Sequence, residues 1–137
     1  MGNTILLVES GEDFREYLSS YFSQRDFTVL CCTDFAAAER AISRQKFDVV
    51  IVDFFAGAQD GGPFCTHLAE AHSGGLIITS DQQSSEIECR IRSSSPAFYF
   101  VKPYSMDNLY AVVLKICESL SKKQLNIHQK AALPHHA

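Results

Sequence analysis

The stretch FDVVIVD at residues 47–53 is the most hydrophobic part of this 137-residue sequence, and it ends on an acid, Asp53. A near-continuous apolar run of this length is typical of a strand that is covered on both faces of a parallel sheet. We therefore predict a central, fully buried strand here, with the carboxylate of Asp53 at its carboxyl end.

Four further strand-like runs flank this stretch, and they occupy residues 4–8, 27–32, 76–79 and 97–101. Segments with helical periodicity lie between the runs and after the last one, with predicted starts after Ser10, after Asp34, at Pro63, at Gln82 and after Ser105. Ser10 with Asp13 has the pattern of a capping box, and Asp34 is a candidate N-cap. Five strands that alternate with five helices predict a doubly wound α/β fold with a parallel sheet.

Length and composition limit the function classes. The chain has the length of one domain, and twelve Lys and Arg against sixteen Asp and Glu give a net charge of −4, which argues against direct nucleic-acid binding. No apolar run is long enough to span a membrane, and no secretory signal is visible. Five cysteines without a CxxC pair are expected to be unpaired thiols in a reducing cytoplasm. Residues 124–137 are predicted to be a frayed polar tail or the stub of a linker.

The ends of the predicted strands hold the polar side chains that matter for function. They are Glu9 and Ser10 after the first strand, Asp53 after the third, Thr79 and Ser80 after the fourth, and Lys102 after the fifth. In such sheets the ligand site lies at the carboxyl ends of the strands, so these groups should converge. A carboxylate can attack a phosphoryl donor, and the transferred group then needs a divalent cation, an ammonium and a hydroxyl around it. No base for a second substrate is evident, which makes the protein itself the acceptor.

At this point the sequence resembles the receiver domain of bacterial two-component response regulators. The matching stretches are ILLVES (residues 5–10), DVVIVDF (48–54), Asp60-Gly61, LIITS (76–80) and YFVKPY (99–104), and the resemblance covers residues 4–123. It implies a flavodoxin-like (βα)5 fold with strand order 2-1-3-4-5.

The resemblance also implies roles for individual residues. Asp53 is the expected phosphoacceptor and Lys102 its ammonium partner, with a cis Lys102–Pro103 bond. Thr79 is the expected switch hydroxyl and Tyr99 the switch aromatic. Ser80 is the alternative to Thr79, because the spacing from Thr79 to Lys102 is one residue longer than the family's usual spacing.

The implied metal is Mg²⁺, held by Glu9, Asp53 and the backbone carbonyl of Phe55. The family normally has a second acid where this sequence has Ser10, so Ser10 is a doubtful ligand and the affinity for Mg²⁺ should fall. Gly57 replaces a usual proline and predicts a mobile loop. The ring of Phe55 should hinder the water that hydrolyses an acyl phosphate, and so prolong the life of the phosphorylated form.

The expected function is phosphorylation-dependent signalling. A sensor histidine kinase or phosphotransfer protein would phosphorylate Asp53, and the face made by the fourth helix, fifth strand and fifth helix would respond and could form a homodimer. Such a domain is not an enzyme beyond its own phosphorylation and slow dephosphorylation, and neither nucleic acid nor membrane is an expected partner. One alternative is a degenerate receiver that acts as a phosphorylation-independent interaction module. The other, an FMN-binding flavodoxin, is disfavoured because the acids at Glu9, Glu12 and Asp13 would repel a phosphate.

Overall fold

The structure is a computed structural model that describes residues 3–71 and 74–132. Strands and helices alternate along these residues in the order β1 Asn3–Val8, α1 Glu12–Ser23, β2 Phe27–Cys32, α2 Phe35–Arg44, β3 Val49–Asp53, α3 Gly62–Ala71, β4 Gly75–Ser80, α4 Ser85–Arg92, β5 Phe98–Val101 and α5 Met106–Ala132. A 3-10 turn, Ala56–Ala58, lies between β3 and α3.

The five strands form one parallel sheet in the order β2-β1-β3-β4-β5, as the family resemblance implied. The chain order reverses beside β1, which makes the fold doubly wound and flavodoxin-like. β3 lies at the centre of the sheet, and all five of its residues are buried. The prediction of a central strand that ends on Asp53 is therefore confirmed.

Two apolar clusters cover the two faces of the sheet. On one face, alternate residues of the central strands, including Leu6, Val50 and Ile78, pack against α2, α3 and α4. On the other face, their neighbours, including Leu7, Ile51 and Ile77, pack against α1 and α5. This arrangement follows from the two-residue period of a strand, and it sets which side chains at the strand ends point to which layer.

The predicted helix starts after Asp34 and after Ser105 are confirmed, and both side chains make capping hydrogen bonds. The Asp34 carboxylate accepts a hydrogen bond from the Ala37 N–H at 2.8 Å, and the Ser105 hydroxyl accepts one from the Asn108 N–H at 3.3 Å. The predicted capping box at Ser10 is wrong. The N-cap of α1 is Gly11, because the first helical hydrogen bond runs from the Arg15 N–H to the Gly11 carbonyl at 2.8 Å. Glycine has no side chain, so this helix start lacks a side-chain capping bond.

The last two helices differ from the sequence prediction in their bounds. α4 begins at Ser85 rather than Gln82, since the Ser84 hydroxyl caps it through the Ile87 N–H at 3.1 Å. α5 continues past Lys123 to Ala132, so residues 124–132 are helical and not frayed, whereas residues 133–137 lie outside the described residues. No helix in the described part of the chain is long and apolar enough to cross a membrane.

Candidate functional site

Four strand ends meet at one edge of the sheet. The register pairs Val8 with Val52, and Asp53 with Thr79, which places the ends of β1, β3 and β4 at the same level. Ser80 pairs with Val101, the residue before Lys102. The topology therefore brings together Glu9, Asp53, Thr79, Ser80 and Lys102, which are all the side chains that the sequence predicted at this edge except Ser10, whose side chain is exposed.

Lys102 joins the two carboxylates of the site. Its Nζ lies 2.7 Å from Oε1 of Glu9 and 3.5 Å from Oδ2 of Asp53. Burial lowers the pKa of Lys102, but the hydrogen bond with Glu9 and the charge of Asp53 outweigh it, and the net shift is upward. The Lys102 side chain therefore keeps its proton and its positive charge at this site. The Lys102–Pro103 peptide bond is cis, as expected.

Asp53 is buried and keeps oxygen lone pairs available. Its Oδ1 accepts a hydrogen bond from the Phe55 N–H at 3.1 Å, while Oδ2 is at ion-pair distance from Lys102. Burial raises the pKa of Asp53 above its ordinary value, and the charge of Lys102 and the Phe55 hydrogen bond oppose this shift only in part. A carboxylate that is poorly solvated and held beside an ammonium is suited to attack on a phosphoryl group.

Glu9 is the most buried acid of the site, with 4% of its surface exposed. Its Oε1 is bound by Lys102 and its Oε2 accepts the Gly11 N–H at 3.1 Å. Arg15 donates from one guanidinium nitrogen to the carbonyls of Glu9 and Ser10, at 3.1 and 3.2 Å. This contact was missed from the sequence, and it fixes the turn between β1 and α1.

The loop after Asp53 is a tight turn with two glycines at demanding positions. Gly57 has a φ of +65°, a left-handed conformation that favours glycine. A Cβ at Gly61 would lie 2.7 Å from the Phe54 carbonyl oxygen, so a larger residue there would displace the loop. The Phe55 carbonyl accepts a hydrogen bond from the Ala58 N–H at 2.9 Å. The Phe55 ring packs edge-on against the Phe54 ring, with ring centres 5.2 Å apart.

The two hydroxyls at the end of β4 point to opposite layers. Thr79 donates to the Val52 carbonyl at 3.4 Å, and it pairs with Phe100, whose ring belongs to the α1 and α5 layer. Tyr99 pairs with Ile78 and packs in the α2, α3 and α4 layer, which is also the layer that Ser80 faces by alternation. The geometry thus favours Ser80 over Thr79 as the hydroxyl that couples to Tyr99.

Contacts around Tyr99 support this distinction. Its hydroxyl donates to the Gln82 carbonyl at 3.5 Å, and Ser80 and Gln82 exchange hydrogen bonds of 3.0 Å. Burial raises the pKa of Tyr99, while a hydrogen bond with the Ser80 side chain opposes that shift. Tyr99 and Ser80 therefore share one polar neighbourhood, at the start of the segment that leads into α4.

A further aromatic residue was not predicted from the sequence as part of this edge. Tyr104 lies edge-on to Phe14, with ring centres 5.9 Å apart, and Lys102 Nζ lies 4.9 Å from the centre of the same Phe14 ring. Burial, followed by the charges of Glu9 and Asp53, raises the pKa of Tyr104 well above its ordinary value. The signal in the sequence was the KPY motif itself, where Tyr104 follows Lys102 by two residues.

The donor set fits Mg²⁺ bound mainly through water. No group of three or more His, Cys, Asp or Glu side chains suited to a metal ion occurs within residues 3–71 and 74–132. Mg²⁺ in proteins commonly takes one or two carboxylates, several waters and substrate phosphate oxygens, and Glu9 and Asp53 match this requirement. Ser10 contributes no charge, and the Phe55 carbonyl already accepts one hydrogen bond.

The fold is that of a receiver domain, and the sequence matches the family model of the response regulator receiver domain over residues 5–114. The chain belongs to that family. Receiver domains are signalling domains rather than conventional enzymes, they act with histidine kinases or phosphotransfer proteins, and they generally bind Mg²⁺.

Individual relatives are distant. The transcriptional regulatory protein YxdJ of Bacillus subtilis is 27% identical over 111 residues, which are 81% of this chain and 48% of the relative. The chain therefore spans about half of that protein's length. A two-component response regulator from Clostridium difficile has a TM-score of 0.81 at 17% identity, with 86% of this chain and 98% of that chain covered.

A second solved structure, the BeF3-activated receiver domain of RstA from Klebsiella pneumoniae, has a TM-score of 0.73 at 23% identity. The match covers 80% of this chain and 93% of the RstA receiver-domain chain. At these identities the two structural likenesses support the fold alone.

Proposed function

We propose that this chain is a phosphorylation-dependent receiver in which Asp53 accepts a phosphoryl group from a histidine kinase or phosphotransfer protein. The observation that carries the proposal is the Lys102 ammonium, which is held between two buried carboxylates, 2.7 Å from Glu9 and 3.5 Å from Asp53. This arrangement supplies a nucleophile and a fixed positive charge at one point, as phosphoryl transfer requires.

In the proposed transfer, one carboxylate oxygen of Asp53 attacks the phosphorus of a phosphohistidine donor. The new P–O bond forms as the P–N bond breaks, and the donor imidazole leaves with the electron pair. Lys102 then contacts a phosphoryl oxygen and neutralises its charge. Glu9, Asp53 and the Phe55 carbonyl would hold Mg²⁺, with Ser10 as a doubtful ligand, and the bound cation supplies further charge neutralisation of the phosphoryl oxygens.

We propose Ser80, rather than the Thr79 expected from the sequence, as the hydroxyl that links the phosphoryl group to Tyr99. The face shared by Ser80 and Tyr99 supports this assignment, since a hydroxyl that moves toward Asp53 would leave space beside Tyr99. The responding surface would then be formed by α4, β5 and α5. It includes the exposed ring of Phe98 on the edge strand, which supports a role for this face in docking or homodimer contact.

The cytoplasm is the proposed location, because all five cysteines are free thiols and disulfides are rare in that reducing compartment. Direct nucleic-acid binding by this chain is not proposed, in view of its net charge of −4.

Acetyl phosphate treatment with and without Mg²⁺ tests the proposal. We expect intact-protein mass spectrometry to show one added phosphoryl group on the wild type, more of it with Mg²⁺ than without, and none on Asp53→Asn. The competing hypothesis is a degenerate receiver that works as an interaction module without phosphorylation. It is supported by the neutral Ser10, and it predicts no adduct under either condition.

A further inference from the structure

One arginine of α4 holds the loop between β3 and α3. The Arg90 guanidinium forms an ion pair with Oδ2 of Asp60, near the end of that loop. In the described part of the chain, this pair is the one ion pair or hydrogen bond that joins the exposed segment 57–60 to residues outside the range 54–62. Removal of either charge would therefore free this segment from α4.

The loop end of the pair leads back to the proposed phosphoacceptor. Gly61, the residue after the paired aspartate, donates its N–H to the Phe54 carbonyl at 2.8 Å. The Phe55 N–H donates to Oδ1 of Asp53 at 3.1 Å. The Phe54 ring is fully buried, and the Arg90 guanidinium lies 5.6 Å from its centre. A shift of this loop when a group is added to Asp53 would therefore be felt by Arg90.

The helix end of the pair belongs to a short and weakly anchored element. α4 has eight residues, and Ile91 is its one buried residue, while Ile87 packs against the same apolar cluster in part. An isolated helix shorter than about 12 residues is marginal in water, so contacts with the rest of the fold decide its position and its order. The Arg90 contacts are therefore well placed to affect α4.

The pair is too exposed to be a main support of the fold. The side chains of Arg90 and Asp60 are 41% and 48% exposed, and ion pairs of this kind contribute little to overall stability. Loss of the pair should leave the molecule folded. Its effect should instead be on how the loop and α4 respond to each other.

We propose that Arg90 is a positioning residue that couples the loop after Asp53 to α4, so that ordering of the loop by a phosphoryl group also orders α4. This inference rests on the proposed function. The coupling is separate from that of Ser80 and Tyr99, which meet at the Gln82 carbonyl before α4 begins. Coupling is reciprocal, so α4 in turn favours the ordered loop and strengthens binding at the site.

The test measures hydrogen exchange of α4 amides by mass spectrometry, with beryllium fluoride and MgCl2 as the phosphoryl probe. We expect the probe to slow exchange in α4 of the wild type. Arg90→Met and Asp60→Asn should each lose at least about half of that slowing and bind the probe about threefold more weakly, as for loss of an exposed ion pair. Asp60→Asn keeps the side-chain oxygen that accepts the Gly62 N–H.

Two further variants isolate the contact between the loop and the helix. The double variant Asp60→Asn/Arg90→Met should be no worse than either single variant, because both remove the same interaction. Arg92→Met is the matched control, since Arg92 pairs with Glu88 inside α4 at 2.6 Å and does not pair with the loop. It should keep the wild-type response to the probe.

The outcomes that contradict the inference are distinguishable. Equal slowing of α4 exchange in Arg90→Met and the wild type overturns the role of Arg90 and leaves the proposed function intact. An equal loss in Arg92→Met shows that any weakening of the helix has this effect, and it overturns the coupling through the loop. Probe binding by the wild type without slower α4 exchange also overturns the coupling. Absence of probe binding by the wild type overturns the proposed function, and the role of Arg90 with it.

Discussion

Asp53 combines burial with a fixed ammonium neighbour, and its ionisation therefore affects stability. Because its pKa is raised in the folded protein, the folded state holds this proton more tightly than the unfolded chain does. The stability that Asp53 contributes is present at acid pH and is lost as pH rises from the ordinary value of 3.8 through the raised folded value.

Asp53→Asn should remove this pH dependence. We expect the variant to be more stable than the wild type near neutral pH, with the difference shrinking as pH falls below the ordinary pKa of the carboxyl. Urea unfolding across that pH range measures it, and Asp26→Asn, at an exposed turn, is the control. A stability difference that is independent of pH contradicts the prediction.

Ser80 and Thr79 are adjacent residues whose hydroxyls have different surroundings, so substitutions at the two positions should differ in their effect on Tyr99. We expect Ser80→Ala to lose most of the change in the Tyr99 ring signal when beryllium fluoride binds, as measured by NMR with labelled tyrosine. Thr79→Val should keep that change, because Thr79 pairs with Phe100 and faces the α1 and α5 layer, on the opposite side of the sheet from Tyr99. The reverse pattern would restore Thr79 as the switch residue.

Phe55 places an apolar ring two residues after Asp53 in the sequence, and an edge-on contact with Phe54 holds this ring. We expect Phe55→Asn to lose the phosphoryl group several-fold faster than the wild type, since a polar side chain admits the hydrolytic water. Tyr17→Asn, at an exposed aromatic residue of α1 outside the α4, β5 and α5 surface, is the control. Equal dephosphorylation rates of Phe55→Asn and the wild type would show that the Phe55 ring does not slow hydrolysis.

At the scale of single elements, helix starts show what local sequence patterns do and do not determine. Asp34 and Ser10 both precede helices, yet Asp34 alone caps one with its side chain. We expect Asp34→Ala to lower the free energy of unfolding by about 1 kcal/mol. Ser10→Ala should change it by less than about 0.5 kcal/mol, as for an exposed residue without a capping bond. Chemical denaturation of both variants measures this, and similar losses for the two contradict the structural distinction.

The α4 helix illustrates a second limit of local patterns. Acids and arginines four residues apart in α4 allow two intrahelical pairs, Glu86 with Arg90 and Glu88 with Arg92. The structure forms the second pair at 2.6 Å, whereas Arg90 pairs with Asp60 from the loop after Asp53 and lies over the Phe54 ring at 5.6 Å. A partner from a distant loop competes with one on the same helix, and only the tertiary fold decides between them.

For the whole molecule, the parallel topology explains why much of the site was predictable. Once five alternating strands and helices are recognised, the ends of neighbouring strands must meet, so Glu9, Asp53 and Lys102 were expected together without any contact information. The choice between Thr79 and Ser80 required the register of β4 against β5. The placement of the Tyr104 ring at this edge depends on packing against Phe14, which is distant in sequence, and no local pattern specifies it.

Location of the transferred group tests the central claim most directly. After acetyl phosphate treatment, borohydride reduction of the acyl phosphate followed by digestion and fragment mass spectrometry identifies the modified residue. We predict a single modified residue, Asp53, with strongly reduced modification when Lys102 is replaced by Met. A phosphoryl group on another acid of this edge, or equal modification of Asp53 without the Lys102 ammonium, would contradict the account.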